Sequence, residues 1–417
     1  MENGGNPKFK TIAGNVPELR FAGFCGGWQE VRLGDISKLI TKGTTPKHKS
    51  GMRNVNFVKI ESISDSKIKP TEKITTAEHE GYLHRSKLEE NDILFSIAGT
   101  LGRAAVVKKS ILPANTNQAL AIIRGFDCDI YFLFAILSGH TIKNFIRRNL
   151  AVGAQPNLSL GQVRGLKIYI AQKPEQKRIG EFFCSLDASI NLLHKKIDAL
   201  QKLKKGYLQK LFPQLGEAVP SLRFAGFSGP WEKRRLSDYA EETYGGGTPR
   251  TNMKHYWGGP LPWIQTSDII EHKVFGAQIK KKLTQTGLQN SAAKLIPANS
   301  IAITTRVAVG KLALIPFEYA TSQDFLSLSR LKADKFFAIY SLYHMLQSEK
   351  NSVQGTSIKG LTKNGLLNKI IAVPSQIAEQ EAIGKFFLLM DKEIDILSEK
   401  LIQLKKLKPA YLKKMLV

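Results

Sequence analysis

The 417-residue chain has little that a disulfide framework, a metal site or a membrane span could use. Only three cysteines occur, Cys25, Cys128 and Cys184, and none forms a Cys-x-x-Cys. An odd, scattered set reads as reduced thiols of a cytoplasmic protein. No apolar run approaches the ~18 residues of a spanning helix. The greasiest stretch, YFLFAIL (131–137), has the length of a core segment. The opening MENGGNPKFK carries no apolar signal-peptide core. Catalytic motifs are scarce too. There is no Pro-Pro, which removes the Asn/Asp/Ser-Pro-Pro-aromatic motif of amino-group methyltransferases. The pairs Gly310-Lys311 and Gly384-Lys385 have Thr305 and Glu379 where a P-loop needs its first glycine. His79-Glu80 and His84 are one residue too far apart for a zincin helix face, and no acidic-plus-lysine nuclease cluster stands out. Acidic residues are also few: 35 against 61 basic, a net charge of +26.

What the chain does have is a copy of itself. VPELRFAGF (16–24) returns as VPSLRFAGF (219–227), and thirteen of the twenty positions in 16–35 are identical in 219–238. Gly43, Thr45 and Pro46 then match Gly246, Thr248 and Pro249, and EQKRIGEFF (175–183) matches EQEAIGKFF (379–387). A period of about 200 residues is far beyond solenoid repeats and implies a duplicated whole unit. Between these matching ends the halves diverge.

Each unit opens into strand-like, turn-rich sequence, such as VNFVKI (55–60), DILFSIAG (92–99), LPWIQTSDI (261–269) and SIAITTRVAVG (300–310). Helical patches at 129–148 and 335–350 make both units α+β. From Glu175 to Phe212 proline vanishes, and apolar residues recur at Leu186, Ile190, Leu193, Ile197, Leu200, Leu203 and Tyr207. The second unit repeats them at Met390, Ile394, Leu397, Leu401, Leu404, Leu407 and Tyr411. Steps of three and four predict a coiled-coil seam, and two matching helices rooted in two units predict an antiparallel pair. At ~1.5 Å per residue each makes a rod of roughly 55 Å. Pro409 is expected to kink or end the second helix near Lys408. The expected division is 16–174 and 219–374 as two similar domains related by pseudo-twofold symmetry, 175–212 and 375–417 as spacer helices, and 213–218 as a linker.

The helical segments carry eight basic against four acidic residues and eight against six. Twenty of the +26 charges therefore sit on the globular parts, a footprint that favours a polyanionic partner, nucleic acid before membrane. Glycine-rich polar loops at equivalent places are the candidate contacts. In the first unit these are Lys42, Thr44, Thr45, Lys47, His48, Lys49 and Arg53, with Arg103 at a strand end. In the second they are Thr248, Arg250, Asn252, Lys254 and Tyr256, with Arg306 and Lys311. Glycine lets backbone N–H groups approach phosphates, cations neutralise them, and polar side chains reach base edges. Gly-Thr-Pro decorated by basic residues is also simply a turn. An enzyme, a diverged methyltransferase or nuclease, and a free-standing DNA-binding regulator remain open alternatives.

The VP-x-LRF-x-GF-x-x-x-W opening, the G-x-TP turn, the EQ-x-x-I-G-x-FF helix start and the YL-x-K helix end, each present twice, resemble the specificity subunit of type I restriction–modification systems. The resemblance spans about 16–417. It implies a non-catalytic subunit with two target recognition domains, each reading one half of a bipartite double-stranded DNA sequence. The paired helices would set the half-site spacing, with a ceiling of about 15 base pairs at ~3.4 Å each. They would also dock two modification subunits, which use S-adenosylmethionine, and restriction subunits driven by ATP and Mg would join. No cofactor is expected on this chain. Ile179, Phe182 and Phe183, with Ile383, Phe386 and Phe387, are candidates for partner docking, or tuck against their own domains.

Overall fold

The β-branched and aromatic runs do form strands, and they form them in the same order twice. A computed structural model describes residues 15–47, 52–64, 66–148, 157–214, 216–352 and 362–417. The chain falls into two compact units, Met1–His194 with Glu399–Val417, and Lys195–Ser398. In the first, a four-stranded antiparallel sheet runs Ser37–Lys42, Leu120–Phe126, Ile93–Ser96, Ala104–Val106. A three-stranded sheet, Glu72–Thr75, Arg53–Val58, Ala114–Thr116, includes one parallel pairing, and Gln29–Arg32 pairs with Lys167–Ile170. The second unit repeats the pattern. Its four-stranded sheet is Ala240–Gly245, Phe325–Leu331, Ser300–Thr304, Leu312–Ile315, and its three-stranded sheet is Lys281–Leu283, Trp257–Ile264, Ala320–Thr321. Glu232–Arg235 pairs with Ile370–Val373. Both units are α+β, as the sequence implied.

The helical patch 129–148 is two helices, Ile130–Ser138 and His140–Arg148, divided at Gly139. Its counterpart Lys335–Ser352 is continuous. Asp129 caps the first helix by accepting from Phe132 N at 2.9 Å, and Asp334 plays the same part for Phe336 and Phe337. Such a cap satisfies backbone donors that the first turn leaves unpaired.

The two long helices are Lys173–Leu211 and Ile377–Met415, 39 residues each. The second does not end at Lys408. It runs through Pro409, because the turns beyond are held by burial: Leu412, Met415 and Leu416 enter the core of the first unit. The Lys414 carbonyl accepts Leu19 N at 2.8 Å there. Proline removes one helical hydrogen bond, and tertiary packing outweighs that loss. Leu208, Leu211 and Phe212 occupy the corresponding place in the core of the second unit, where the Lys210 carbonyl accepts Leu222 N at 2.9 Å.

Within the first unit Phe182 meets Tyr411 edge-on at 5.2 Å and Asp187 pairs with Lys408. Within the second, Lys196 pairs with Glu393, Lys204 with Asp391, and Tyr207 meets Phe386 at 5.0 Å. In each unit rising numbers on one helix meet falling numbers on the other, so the segments are antiparallel. The seam departs from expectation at one turn of each helix. Leu203 and Leu407 are 49% and 44% exposed, which takes them out of the pairing face. Burial instead keeps a strict seven-residue spacing, Phe183, Ile190, Ile197, Lys204, Leu211, with a lysine at the seam. Its ammonium bonds Asp391 at 2.5 Å and faces the rings of Tyr340 and Tyr343 at 5.3 and 5.7 Å. Of the other expected pairing residues, Ile190, Ile197, Leu397 and Leu401 are buried. Leu186, Leu193, Leu200, Tyr207, Met390, Ile394, Leu404 and Tyr411 are half-buried.

Candidate functional site

The repeated phrase and the repeated helix start are two halves of one latch. Arg20 forms a bidentate pair with Glu175, both contacts 2.7 Å, and also donates to the Gly26 and Cys25 carbonyls. Arg223 does the same with Glu379, at 2.7 and 2.7 Å, and with the Gly229 carbonyl. Both carboxylates are almost fully buried, and bidentate Arg–carboxylate pairs are the strong class of ionic hydrogen bond. The following glutamine faces the other way. Gln176 accepts from Asp129 N and donates to the Ala171 carbonyl; Gln380 accepts from Asp334 N and donates to the Pro374 carbonyl. Gly180 and Gly384 are required by proximity, since a Cβ on Gly180 would lie 2.2 Å from Asp129 Oδ1 and one on Gly384 2.6 Å from Phe337 N. The E-Q-x-x-I-G string is thus the joint between helix and domain in each unit.

The glycine loops sit where the first strand of each four-stranded sheet ends. Gly43 passes so close to the turn after Ala114–Thr116 that a Cβ would lie 2.0 Å from the Thr116 carbonyl oxygen. Gly246 is equally tight, 1.9 Å from the Ser322 carbonyl oxygen. Thr44 N donates to the Thr116 carbonyl at 3.0 Å, and Gly247 N to the Thr321 carbonyl at 2.9 Å. Beyond these pins, Thr45 and Thr248 are exposed and donate to the side-chain carbonyls of Gln118 and Gln323. Lys47 is exposed over the Tyr82 ring at 5.7 Å, and Arg250 is exposed. Lys42, Thr44, Arg53, Asn252 and Lys254 are exposed as well, and Tyr256 is half-buried against His255 at 4.6 Å. His48 and Lys49 lie outside the described residues.

The strand-end cations have a structural task. Arg103 Nη1 donates to the Ile63 carbonyl at 3.1 Å, and Lys311 Nζ to the Ile269 carbonyl at 3.4 Å. The turn before each is closed by a hydroxyl. Ser96 Oγ accepts from Arg103 N and donates to the Thr100 carbonyl; Thr304 Oγ1 accepts from Lys311 N and donates to the Ala308 carbonyl. Arg306 stands exposed on that turn.

The expected docking residues are mostly unavailable. Ile179, Phe183, Ile383 and Phe387 are buried in the cores of their own units, and Phe182 and Phe386 are half-buried against Tyr411 and Tyr207. An apolar helix face that packs on its own domain has the same spacing as one that waits for a partner, which is why sequence left both open. His79 and His84 part ways: His79 is buried against Asn115 at 2.5 Å, and His84 turns to the Gly81 carbonyl. What sequence reading missed is the latch and the Thr–Gln contact. The second had a signal, since T-x-Q at 116–118 recurs at 321–323.

The family model described as "Type I restriction modification DNA specificity domain" matches residues 26–202 and 229–406. The chain is 26% identical over 420 residues to a protein of Methanocaldococcus jannaschii described as a type I restriction enzyme specificity subunit, covering 96% of this chain and 93% of that one. It is 31% identical over 151 residues to an Escherichia coli type I restriction enzyme specificity subunit, covering 34% and 36%. Among solved structures, the type I restriction–modification S subunit from M. genitalium superposes with a TM-score of 0.63 at 14% identity, covering 96% of this chain and 99% of that one. Among the described residues no helix is long and apolar enough to cross a membrane.

Proposed function

Because this chain belongs to the type I restriction–modification DNA specificity family, we propose that each of its two halves reads one part of a bipartite double-stranded DNA target. The chain is a DNA sequence-recognition subunit. In our reading residues 16–174 and 219–374 are the two recognition domains, and the chain contributes no catalytic group. Adenine methylation would be done by two modification subunits that bind S-adenosylmethionine, and cleavage by ATP- and Mg-dependent restriction subunits, all in the cytoplasm.

The observation that carries this reading is the doubled latch. Each recognition domain is bolted to a helix start through Arg20–Glu175 or Arg223–Glu379, and the same bolt recurs although the loops beyond it differ. Identical anchoring with divergent loops suits two words read within one frame. The 39-residue helices would then set the spacing, at ~1.5 Å per residue.

Docking of the modification subunits shifts from the buried phenylalanines to surface that is both exposed and doubled. Leu192 and Ile396 are such a pair, and so are Leu203 and Leu407. Val16 and Leu19 recur as Val219 and Leu222 in the same exposed state. Two identical partners call for two copies of one apolar surface.

The test is methylome sequencing of cells that express this chain with a modification subunit. Removing one heptad from each long helix is expected to change the accepted spacer by a few base pairs and leave both half-sites unaltered. Altered half-sites with an unchanged spacer would overturn the reading.

A further inference from the structure

The recognition loops contain a feature that is not divergent. In both units a glycine is pressed onto the backbone of the neighbouring turn, a threonine hydroxyl two residues later is held on a glutamine side chain, and a cation follows two residues after that. The first set is Gly43, Thr45, Gln118 and Lys47; the second is Gly246, Thr248, Gln323 and Arg250. Thr45, Thr248, Gln118, Gln323, Lys47 and Arg250 are all exposed. The surrounding sequence has no such agreement: KHKSGMR follows Pro46, whereas RTNMKHY follows Pro249.

Two domains that read different bases have no use for the same base-reading residues at the same place. What two different half-sites share is the sugar–phosphate backbone. Resting on the DNA-recognition reading, we propose that each Thr–Gln–cation set grips one backbone phosphate and so fixes the register in which the divergent loop residues meet the bases.

The chemistry fits an acceptor-only ligand. The threonine donates to the glutamine carbonyl, which fixes the amide and leaves its NH2 group to donate outward. No partner for that NH2 group is present among the described residues. A phosphate oxygen accepts from such an amide and from an ammonium or guanidinium. A base edge alternates donors and acceptors and differs between half-sites. The glycine supplies the rigidity. With a Cβ at Gly43 or Gly246 the loop would have to leave the 116–117 or 321–322 turn, and the threonine would leave its glutamine. The set is therefore built on the sheet rather than suspended in the loop.

The experiment uses the complete complex with its modification subunits, comparing wild type with Gln118→Ala/Gln323→Ala and with Lys47→Gln/Arg250→Gln. Two readouts are taken: affinity for a duplex carrying the target and for one lacking it, across a salt series, and the methylated sequence in cells. Both variants are expected to bind both duplexes roughly 10-fold or more weakly by the same factor, while methylating the same bipartite sequence. The cation variant should also lower the slope of log K against log salt by about 0.9 for each phosphate no longer neutralised. A changed base at either half-site would overturn the proposal in favour of base reading. Unchanged affinity and salt slope, or weakened binding traced to failed assembly with the modification subunits, would overturn it as well. If wild type methylates no bipartite sequence, the DNA-recognition reading itself fails, an outcome separate from these.

Discussion

Replacing Arg20 by alanine should release the first unit from its helix. The Glu175 side chain is only 1% exposed, and its two carboxylate oxygens each accept from Arg20 at 2.7 Å. Removing the guanidinium leaves a buried carboxylate without its counter-charge, a lesion of roughly 3–5 kcal/mol. The 14% exposure of Arg20 places the loss near the lower end, about 3 kcal/mol. The twin substitution Arg223→Ala should hurt less. Trp231 Nε1 donates to Glu379 Oε1 at 3.3 Å, so one donor survives, whereas Trp28 Nε1 has no partner among the described residues. A retained bond to a charged group amounts to about 1.5 kcal/mol at full strength and less at this length. Urea unfolding, with hydrogen exchange to assign the loss to one unit, measures both. The deciding control is Arg20→Ala/Glu175→Leu, which removes the orphaned charge and should recover most of the loss. A double variant no more stable than Arg20→Ala, or a single loss under about 1 kcal/mol, would refute the latch as a buried ion pair.

Four further outcomes can be checked on the isolated chain. His344 is half-buried and stacked on Phe212 at 5.3 Å, and desolvation depresses its pKa from 6.5 to about 4. Below 6.5 the unfolded chain takes a proton that the folded chain refuses, so this contribution to stability is full above 6.5 and declines as pH falls toward 4. His344→Gln should flatten that part of the stability–pH curve relative to wild type. Cys25 is exposed, whereas burial, aided by Asp129 and Asp127, pushes the Cys128 thiol up to about 12. Maleimide at neutral pH should therefore label Cys25 long before Cys128, as mass spectrometry of digested protein would show. Gly246→Ala should cost about 1–3 kcal/mol in urea unfolding, because the new methyl meets backbone rather than a yielding side chain. Gly206→Ala, in a helix with open space around it, should gain up to about 1 kcal/mol.

Much of this architecture could be read from the chain before any coordinates. Duplication needs only identity at a fixed offset, and long helices need only sustained periodicity. The departures have physical reasons. Lys204 entered the seam and Leu203 left it, because Asp391, Tyr340 and Tyr343 solvate an ammonium there and keep the seven-residue spacing; sequence alone favours the leucine. Pro409 did not stop its helix, since propensity is local and the burial of Leu412 and Met415 is not. Arg20 and Glu175 are 155 residues apart, and nothing short-range marks them as partners. The loop cations were legible as charge, but Arg103 and Lys311 spend hydrogen bonds on the Ile63 and Ile269 carbonyls, which only a folded chain reveals.

The first unit takes its final helical turns from residues 399–417, on the far side of the whole second unit. A ribosome therefore releases the body of the first unit early but cannot let it close. Through the synthesis of some two hundred intervening residues, the core that awaits Leu412, Met415 and Leu416 stays open to water and to chaperones. The half made first is completed last, and a nonsense mutation anywhere downstream of the second unit's start would injure the half that precedes it.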